Sequence, residues 1–453
     1  MFLDREHSIA PAGYSRWRVP PAALAIHLAI GQAYAFSVFN LPLSTLVGID
    51  KPAPADWKLS TIGWIFSTAI VFLGLSAFAF GRWLEDAGPR KAMFAAAVCF
   101  AGGFFVSALG AQLHQIWIIY LGYGVLGGIG LGLGYISPVS TLIKWFPDRP
   151  GMATGLAIMG FGGGAMIGSP LAVALMAHFK TASSMGVAET FLAMGALYFV
   201  FMMFGVFTVR LPAPGWAPDA RKPEAGSAAR ARRTSPAPDV HVDEAFRTKQ
   251  FWLLWAVLCL NVTAGIGVLG QASPMIQEMF SGKIGAPAAA GFVGLLSLAN
   301  MAGRFGWSTC SDLIGRRATY MIFFVLGAIL YALIPTTGRL GSVTWFVVFY
   351  AVILSMYGGG FATIPAYLRD LFGVMHVGAI HGRLLTAWSV AGVAGPVLVN
   401  YIREYQIAHG VAKANAYSVT MYIMAGLLIA GFVANYLVTP VDASHQWKGA
   451  AHG

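Results

Sequence analysis

Twelve separate apolar runs, most about twenty residues long, set what this chain of 453 residues can become. A helix of that length crosses a hydrocarbon layer of about 30 Å. No water in that layer can satisfy a free backbone N–H or C=O, so a run of this kind must form an α-helix or join a closed barrel. Barrel strands read as short alternating segments, whereas these runs are continuous. They fall at 19–47, 60–80, 92–110, 116–143, 152–177, 189–209, 251–278, 287–309, 318–335, 344–368, 384–402 and 417–438. Only 10% of the residues are charged, against about 25% in an ordinary soluble domain. The sequence therefore predicts an all-α membrane protein with twelve transmembrane helices. The first run is far longer than a signal-peptide core and is expected to stay in the protein.

Twelve crossings return the chain to its starting side. With both termini in the cytoplasm, 21 of the 29 Lys and Arg residues lie on that side and 7 on the other (Lys51, Lys58, Lys180, Lys283, Arg339, Arg403 and Lys413). Arg304 is the remaining one. This three-to-one bias follows the positive-inside rule and places the chain in a cytoplasmic (inner) membrane. It also accounts for the net charge of +11 without a nucleic-acid partner. Segment 211–249 is rich in Ala, Pro and Arg, including Arg230-Ala231-Arg232-Arg233. Such a composition cannot bury a core, so a flexible cytoplasmic linker is expected there. The three cysteines, Cys99, Cys259 and Cys310, lack metal or disulfide spacing. With no acid–histidine cluster inside the runs, the chain is not expected to be an enzyme or to hold a metal or cofactor.

The halves repeat. Gly81-Arg82-Trp83-Leu84-Glu85-Asp86-Ala87-Gly88-Pro89-Arg90-Lys91 follows the second run, and Ser308-Thr309-Cys310-Ser311-Asp312-Leu313-Ile314-Gly315-Arg316-Arg317 follows the eighth. Gly88 and Gly315 are 227 residues apart, as are Pro138 and Pro365, while Pro170 and Pro396 are 226 apart. One offset at three landmarks implies two related six-helix halves, 1–210 and 250–453, with a binding site near the midplane between them.

These stretches resemble the loop signature of the major facilitator superfamily, G-x-L-x-D-x-x-G-R-R/K, with Glu85 at the acidic position, Pro89 before Arg90, and Ser308 for the first glycine of the second copy. The resemblance implies two pseudo-symmetric six-helix halves and a conformational latch at Gly81, Glu85, Gly88 and Arg90 and at Asp312, Gly315, Arg316 and Arg317. An acid placed there can meet the positive N-terminus of a neighbouring helix.

Arg304 is the one charged residue deep inside a run, and no Asp or Glu lies deep within any of the twelve, Glu189 and Glu278 standing at the ends of theirs. A charge at a helix centre costs about 2.5–3.5 kcal/mol on the mildest insertion scale. At the offset of 227, Arg304 corresponds to Ala77 and Asn300 to Leu73, so the scaffold does not require a cation at that place. A guanidinium presents a planar fork that fits a carboxylate, which makes a small organic anion the expected partner. Asn300, one turn earlier on the same face, can orient the arginine or donate to the anion. Gln32, Tyr34, Tyr135, Tyr357 and Trp388 are expected to complete an amphiphilic pocket. His27 in the first run is read as a structural, hydrogen-bonded histidine, with titration the alternative. The glycine clusters at 122–134, 160–164 and 358–360 are read as close-packing and hinge surfaces, and the internal prolines as breaks or bends.

Four stretches narrow the resemblance to the oxalate:formate antiporter family and the bacterial monocarboxylate transporters: 145–155, 159–164, 261–267 and 385–392. In those families an arginine of the eighth span binds the substrate carboxylate, and Arg304 matches it. Two cations of the relatives are missing. Trp388 stands where the oxalate antiporter has a lysine, and the first span offers Gln32 and Tyr34 where animal lactate carriers have one. One fixed cation suits a monocarboxylate, because a dianion would leave a second buried charge uncompensated. The expectation is a secondary transporter for a lactate-, pyruvate- or formate-like anion, acting as a monomer in the lipid bilayer, with a proton as the possible co-substrate. The alternatives are an oxalate:formate-type antiporter and a ligand-binding membrane sensor that moves nothing.

Overall fold

The computed structural model describes residues 2–49, 51, 53–218, 238–269 and 271–447; the middle of the expected linker, 219–237, lies outside them. Twelve long helices follow in chain order: α1 Pro20–Ile30, α2 Leu59–Ala87, α3 Pro89–Gln112, α4 Gly128–Trp145, α5 Pro150–Phe179, α6 Val187–Thr208, α7 Lys249–Leu269, α8 Ala286–Ile314, α9 Arg316–Arg339, α10 Val343–Phe372, α11 Thr386–Ala408 and α12 Ser418–Tyr436. Among the described residues there is no β-strand, only isolated bridges. Eleven described stretches, covering α1–α7 and α9–α12, are long and apolar enough to cross a membrane. The remaining helix, α8, has 29 residues, or about 43 Å at the helical rise. Large apolar side chains stand on the outer surface: Val200 is 71% exposed and Ile167 60%. An apolar exterior of this kind belongs against lipid rather than water.

Several runs are not single helices. The first ends its α-helix at Ile30 and continues as a 3₁₀ segment, Gly31–Phe39, before a short turn Asn40–Leu43. A Cβ on Gly31 would lie 2.2 Å from the Phe161 carbonyl oxygen, so backbone meets backbone where the helix changes type. The fourth run opens with Ile116–Ile119 and a π segment, Tyr120–Gly127, that leads into α4. The seventh breaks between Leu269 and a short helix, Ala272–Met279. The eleventh begins early, as Val377–Leu384, and resumes as α11 at Thr386. The expectation that the prolines break helices is corrected: α4, α5, α10 and α11 run through Pro138, Pro170, Pro365 and Pro396. Neighbouring groups in a helix bundle can satisfy the backbone that a proline frees.

Packing sorts the chain into two compact units. Unit 1 is Met1–Phe146, Leu156–Asp219 and Gly378–Ser389, and unit 2 is Pro147–Gly155, Ala220–Val377 and Val390–Gly453. Each unit thus contains one short segment from the other half of the sequence.

The repeat is visible inside each unit. Gly88 and Gly315 hold φ of +85° and +91°, a region open to glycine at no steric cost, and each joins one long helix to the next. In unit 2 the Asp312 carboxylate accepts the backbone N–H groups of Gly151 (2.9 Å) and Met152 (3.0 Å). In unit 1 Glu85 accepts that of Gly378 at 3.1 Å. Glu85 and Asp312 differ by 227 in number, and so do Gly151 and Gly378. A Cβ on Gly155 would meet the Arg304 carbonyl oxygen at 2.7 Å, and one on Gly382 that of Ala77 at 2.1 Å. Both pairs again obey the offset.

Glycine sets the helix spacing elsewhere too. A Cβ on Gly130 of α4 would come within 2.5 Å of the Phe100 backbone nitrogen of α3, whereas one on Gly426 of α12 meets nothing within 4 Å. Gly130→Val is therefore expected to cost about 1–3 kcal/mol by overpacking. Thermal unfolding of the detergent-solubilised protein should show a lower midpoint for it than for Gly426→Val. Equal midpoints would refute the close contact.

Candidate functional site

Arg304 lies near the middle of α8 and is fully buried. Its Nε–H donates to Asn300 Oδ1 at 3.0 Å, one helical turn away. The guanidinium carbon sits 5.4 Å from the centroid of the Phe361 ring, within cation–π range. These two contacts fix the plane of the fork. Glycines make the arrangement possible. A Cβ on Gly303 would lie 2.0 Å from the Ser355 carbonyl oxygen, and one on Gly358 2.2 Å from that of Asn300. Helices α8 and α10 therefore touch through their backbones, and α10 carries Tyr357 and Phe361, rings 5.3 Å apart, to the same region. Tyr357 lies flat on α7, where a Cβ at Gly265 would collide with it at 2.1 Å. Beside it, a cavity of about 10 Å³ is lined by Asn261, Tyr331 and Tyr357 among others, roughly the room one water needs. The Asn261 amide oxygen has no hydrogen-bond partner among the described residues.

Among the described residues four other charged side chains, all outside the twelve apolar runs, are about as well buried. Arg90, Asp312, Arg316 and Arg369 are all 5% exposed or less. Each sits at a helix end rather than at mid-span. Arg369 falls beyond the expected run of 344–368 but inside α10, which continues to Phe372. It donates to the Pro147 carbonyl at 2.9 Å and pairs with Asp370 at 3.2 Å.

In unit 1, Tyr34, Tyr135 and Trp388 gather around Phe161, at centroid distances of 4.8, 5.7 and 5.6 Å. Tyr135 and Trp388 meet edge to face at 5.4 Å. Gln32 does not join them. Residues two apart face different ways on an α-helix and on a 3₁₀ helix alike, so Gln32 and Tyr34 point to different faces. Gln32 is buried with its carbonyl oxygen accepting the Tyr123 hydroxyl at 3.0 Å. Two histidine rings flank Tyr135, His27 at 5.4 Å and His381 at 5.8 Å. Both are fully or almost fully buried.

The helix-end residues fall into two groups. In unit 1, Glu85 pairs with Lys144 at 2.6 Å as well as with Gly378, and a Cβ on Gly81 would meet the Ala379 Cα at 3.0 Å. Arg90 turns instead to the N-terminal segment, donating to the Phe2 carbonyl at 3.1 Å and covering the Phe2 ring at 4.3 Å. In unit 2, Arg316 bridges Asp312 at 2.6 Å and Asp370 at 3.0 Å. Arg317 departs to the carbonyl and ring of Tyr436. Sequence reasoning missed Phe161, Phe361, Lys144, Asp370 and His381. The offset of 227 relates Thr154 to His381, but for the others only spacing from a chosen residue, such as Phe361 four places after Tyr357, gave any signal.

The family model described as Major Facilitator Superfamily matches residues 21–396. The chain is 25% identical over 377 residues to the oxalate:formate antiporter of Oxalobacter formigenes, covering 83% of this chain and 81% of that protein. It is also 25% identical over 407 residues to monocarboxylate transporter 11 of Homo sapiens, covering 87% and 78%. The crystal structure of the human organic anion transporter MFSD10 (TETRAN) superposes with a TM-score of 0.67 at 17% identity, covering 94% of this chain and 100% of that one. Identity that low speaks for the fold alone.

Asp312 offers a direct test of the helix-end network. Removing the carboxylate strips two backbone N–H groups and the buried Arg316 of one acceptor, a loss of about 3–5 kcal/mol for a broken buried pair. Asp312→Ala is expected to lower the thermal midpoint clearly, and Asp312→Asn, which keeps one acceptor oxygen, to lower it less. An unchanged midpoint for the alanine variant would contradict this account.

Proposed function

The chain belongs to the major facilitator superfamily, and from that premise we propose that this multi-pass membrane transporter carries a small monocarboxylate, lactate-, pyruvate- or formate-like, by alternating access. One observation carries the reading: a fully buried arginine at mid-helix, its fork oriented by Asn300 and Phe361. A guanidinium set in plane by its Nε presents its remaining N–H groups in the geometry that suits a carboxylate. Asn300 acts through that orientation. Tyr357 on the same helix as Phe361, and Tyr34, Tyr135 and Trp388 around Phe161, serve the apolar part of the substrate. Gln32 is tied to Tyr123 and takes no part in our reading.

The relatives named for oxalate and formate and for monocarboxylates support an organic anion as cargo. Charge decides between them. One fixed cation balances one carboxylate, and a second carboxylate would be left in low dielectric at a cost of several kcal/mol. Glu85 and Asp312 act as latches, releasing the N–H groups of Gly378, Gly151 and Met152 during the cycle. The positive-inside count supports cytoplasmic termini in an inner membrane, and in our reading the monomer is the working unit. Proton-linked uptake is our reading of the coupling. An oxalate:formate-type exchange is the second reading, favoured by the antiporter relative. A sensor without transport is separated from both by counterflow, which only a carrier shows.

In proteoliposomes, Arg304→Ala is expected to reduce labelled lactate or pyruvate uptake by about 100-fold or more, as befits loss of a buried charge contact worth about 2–5 kcal/mol, with membrane insertion intact. Arg304→Lys should restore little, because the planar fork is lost. Near-normal uptake by the alanine variant would remove Arg304 from the site. In the same vesicles the wild type should favour lactate or pyruvate over oxalate, and strong preference for oxalate would overturn the monocarboxylate reading.

A further inference from the structure

Both nitrogens of the His27 ring face backbone carbonyl oxygens, Nδ1 that of Ala157 at 2.5 Å and Nε2 that of Tyr135 at 3.1 Å. A carbonyl oxygen only accepts. A neutral imidazole carries one N–H, so one of these contacts would set lone pair against lone pair, whereas the imidazolium donates to both. This geometry gives each ring nitrogen an acceptor, the arrangement an imidazolium uses in full. On the far side of the Tyr135 ring, His381 is 1% exposed, and neither of its ring nitrogens has a hydrogen-bond partner among the described residues. Two imidazoles in one buried cluster thus have opposite surroundings: one where a second proton finds an acceptor, and one where none is accommodated.

We propose that His27 and His381 form the proton-binding pair of this carrier, a reading that rests on the carboxylate transport proposed above. A proton from water on one side joins the neutral His27 imidazole and leaves as the conformation changes. His381 is the neutral group through which it departs. Among the titratable or charged side chains nearby, Arg16 and Arg18 lie over Phe146 and Tyr14. Tyr135 of α4 presents its ring; Lys144 of the same helix is held by Glu85; Arg383, two residues beyond His381, covers Phe78 at 5.6 Å. From α5 the approach is the Ala157 carbonyl, and Tyr198 of α6 lies toward Gly168. The proton site occupies unit 1, while Arg304 belongs to unit 2. Proton and anion therefore need not share a residue.

The test counts protons per carboxylate in proteoliposomes holding a trapped pH dye and given labelled pyruvate or L-lactate. The wild type should move about one proton per anion, and His27→Gln close to none, since a carboxamide does not titrate. His381→Gln, which keeps His27 and both of its carbonyl contacts, should fall below about half the wild-type ratio, and it decides the matter if His27→Gln does not insert. A wild-type ratio in either variant, or a wild type that moves anion without protons, overturns the inference alone. A wild type that moves neither anion overturns the carboxylate reading, and the inference falls with it.

Discussion

A charge in hydrocarbon has no water to turn to, and this chain meets that constraint in two ways. Most buried charges stand at helix ends, where unfinished backbone groups serve as partners. Asp312 takes the first N–H groups of α5, Glu85 takes that of Gly378, and Arg369 takes the Pro147 carbonyl. Arg304 is different. At mid-helix the backbone is already paired, so its described contacts are an amide oxygen and an aromatic face. Both are neutral. They orient the guanidinium.

The repeat separates what packing demands from what function demands. The glycine that abuts Arg304, Gly155, has its counterpart in Gly382, which abuts Ala77. The backbone contact is the same in both units, while the side chain is a cation in one and a methyl group in the other. The acids at the helix ends recur in both units. A feature present in both copies belongs to the scaffold, and one present in a single copy belongs to the cargo. That criterion agrees with the proposed role of Arg304 and Asn300, matched by Ala77 and Leu73, and with that of the histidine pair of unit 1.

Much of this was legible because hydrocarbon is an exacting solvent. Twelve runs announce twelve helices, since no open form survives there, and the offset of 227 announces the repeat. Arg304 and Asn300 were legible as one turn of a helix. Hydropathy does not report helix type, so the 3₁₀ segment after Ile30 and the breaks near 270 and 385 went unread. Nor does hydropathy report side-chain partners, so the bond between Gln32 and Tyr123 went unread. Hydropathy also left the end of α10 short and Arg369 assigned to a loop. Trp388 reads as second-half sequence but packs with Tyr34 and Phe161, because Gly378–Ser389 is built into unit 1. His381 carried no motif at all. A buried histidine is ordinary in a sequence and becomes informative only when its ring nitrogens can be inspected.

The fixed cation has a kinetic consequence. When the anion binds, the guanidinium and carboxylate offset each other, and the loaded site enters low dielectric as a near-neutral pair. In the proposed cycle the site makes the same change of conformation without the carboxylate, at a cost of several kcal/mol. The empty return is then slow, and exchange of one anion for another outruns net uptake, whatever the coupling. A proton held on His27 does not relieve that step, since it adds positive charge rather than removing it. Release of the proton before the return avoids that addition and leaves the arginine's own charge as it was. The order in which proton and anion leave therefore decides whether the carrier accumulates its substrate or only trades it, and the carbonyl pair around His27 ties that order to the conformation of unit 1.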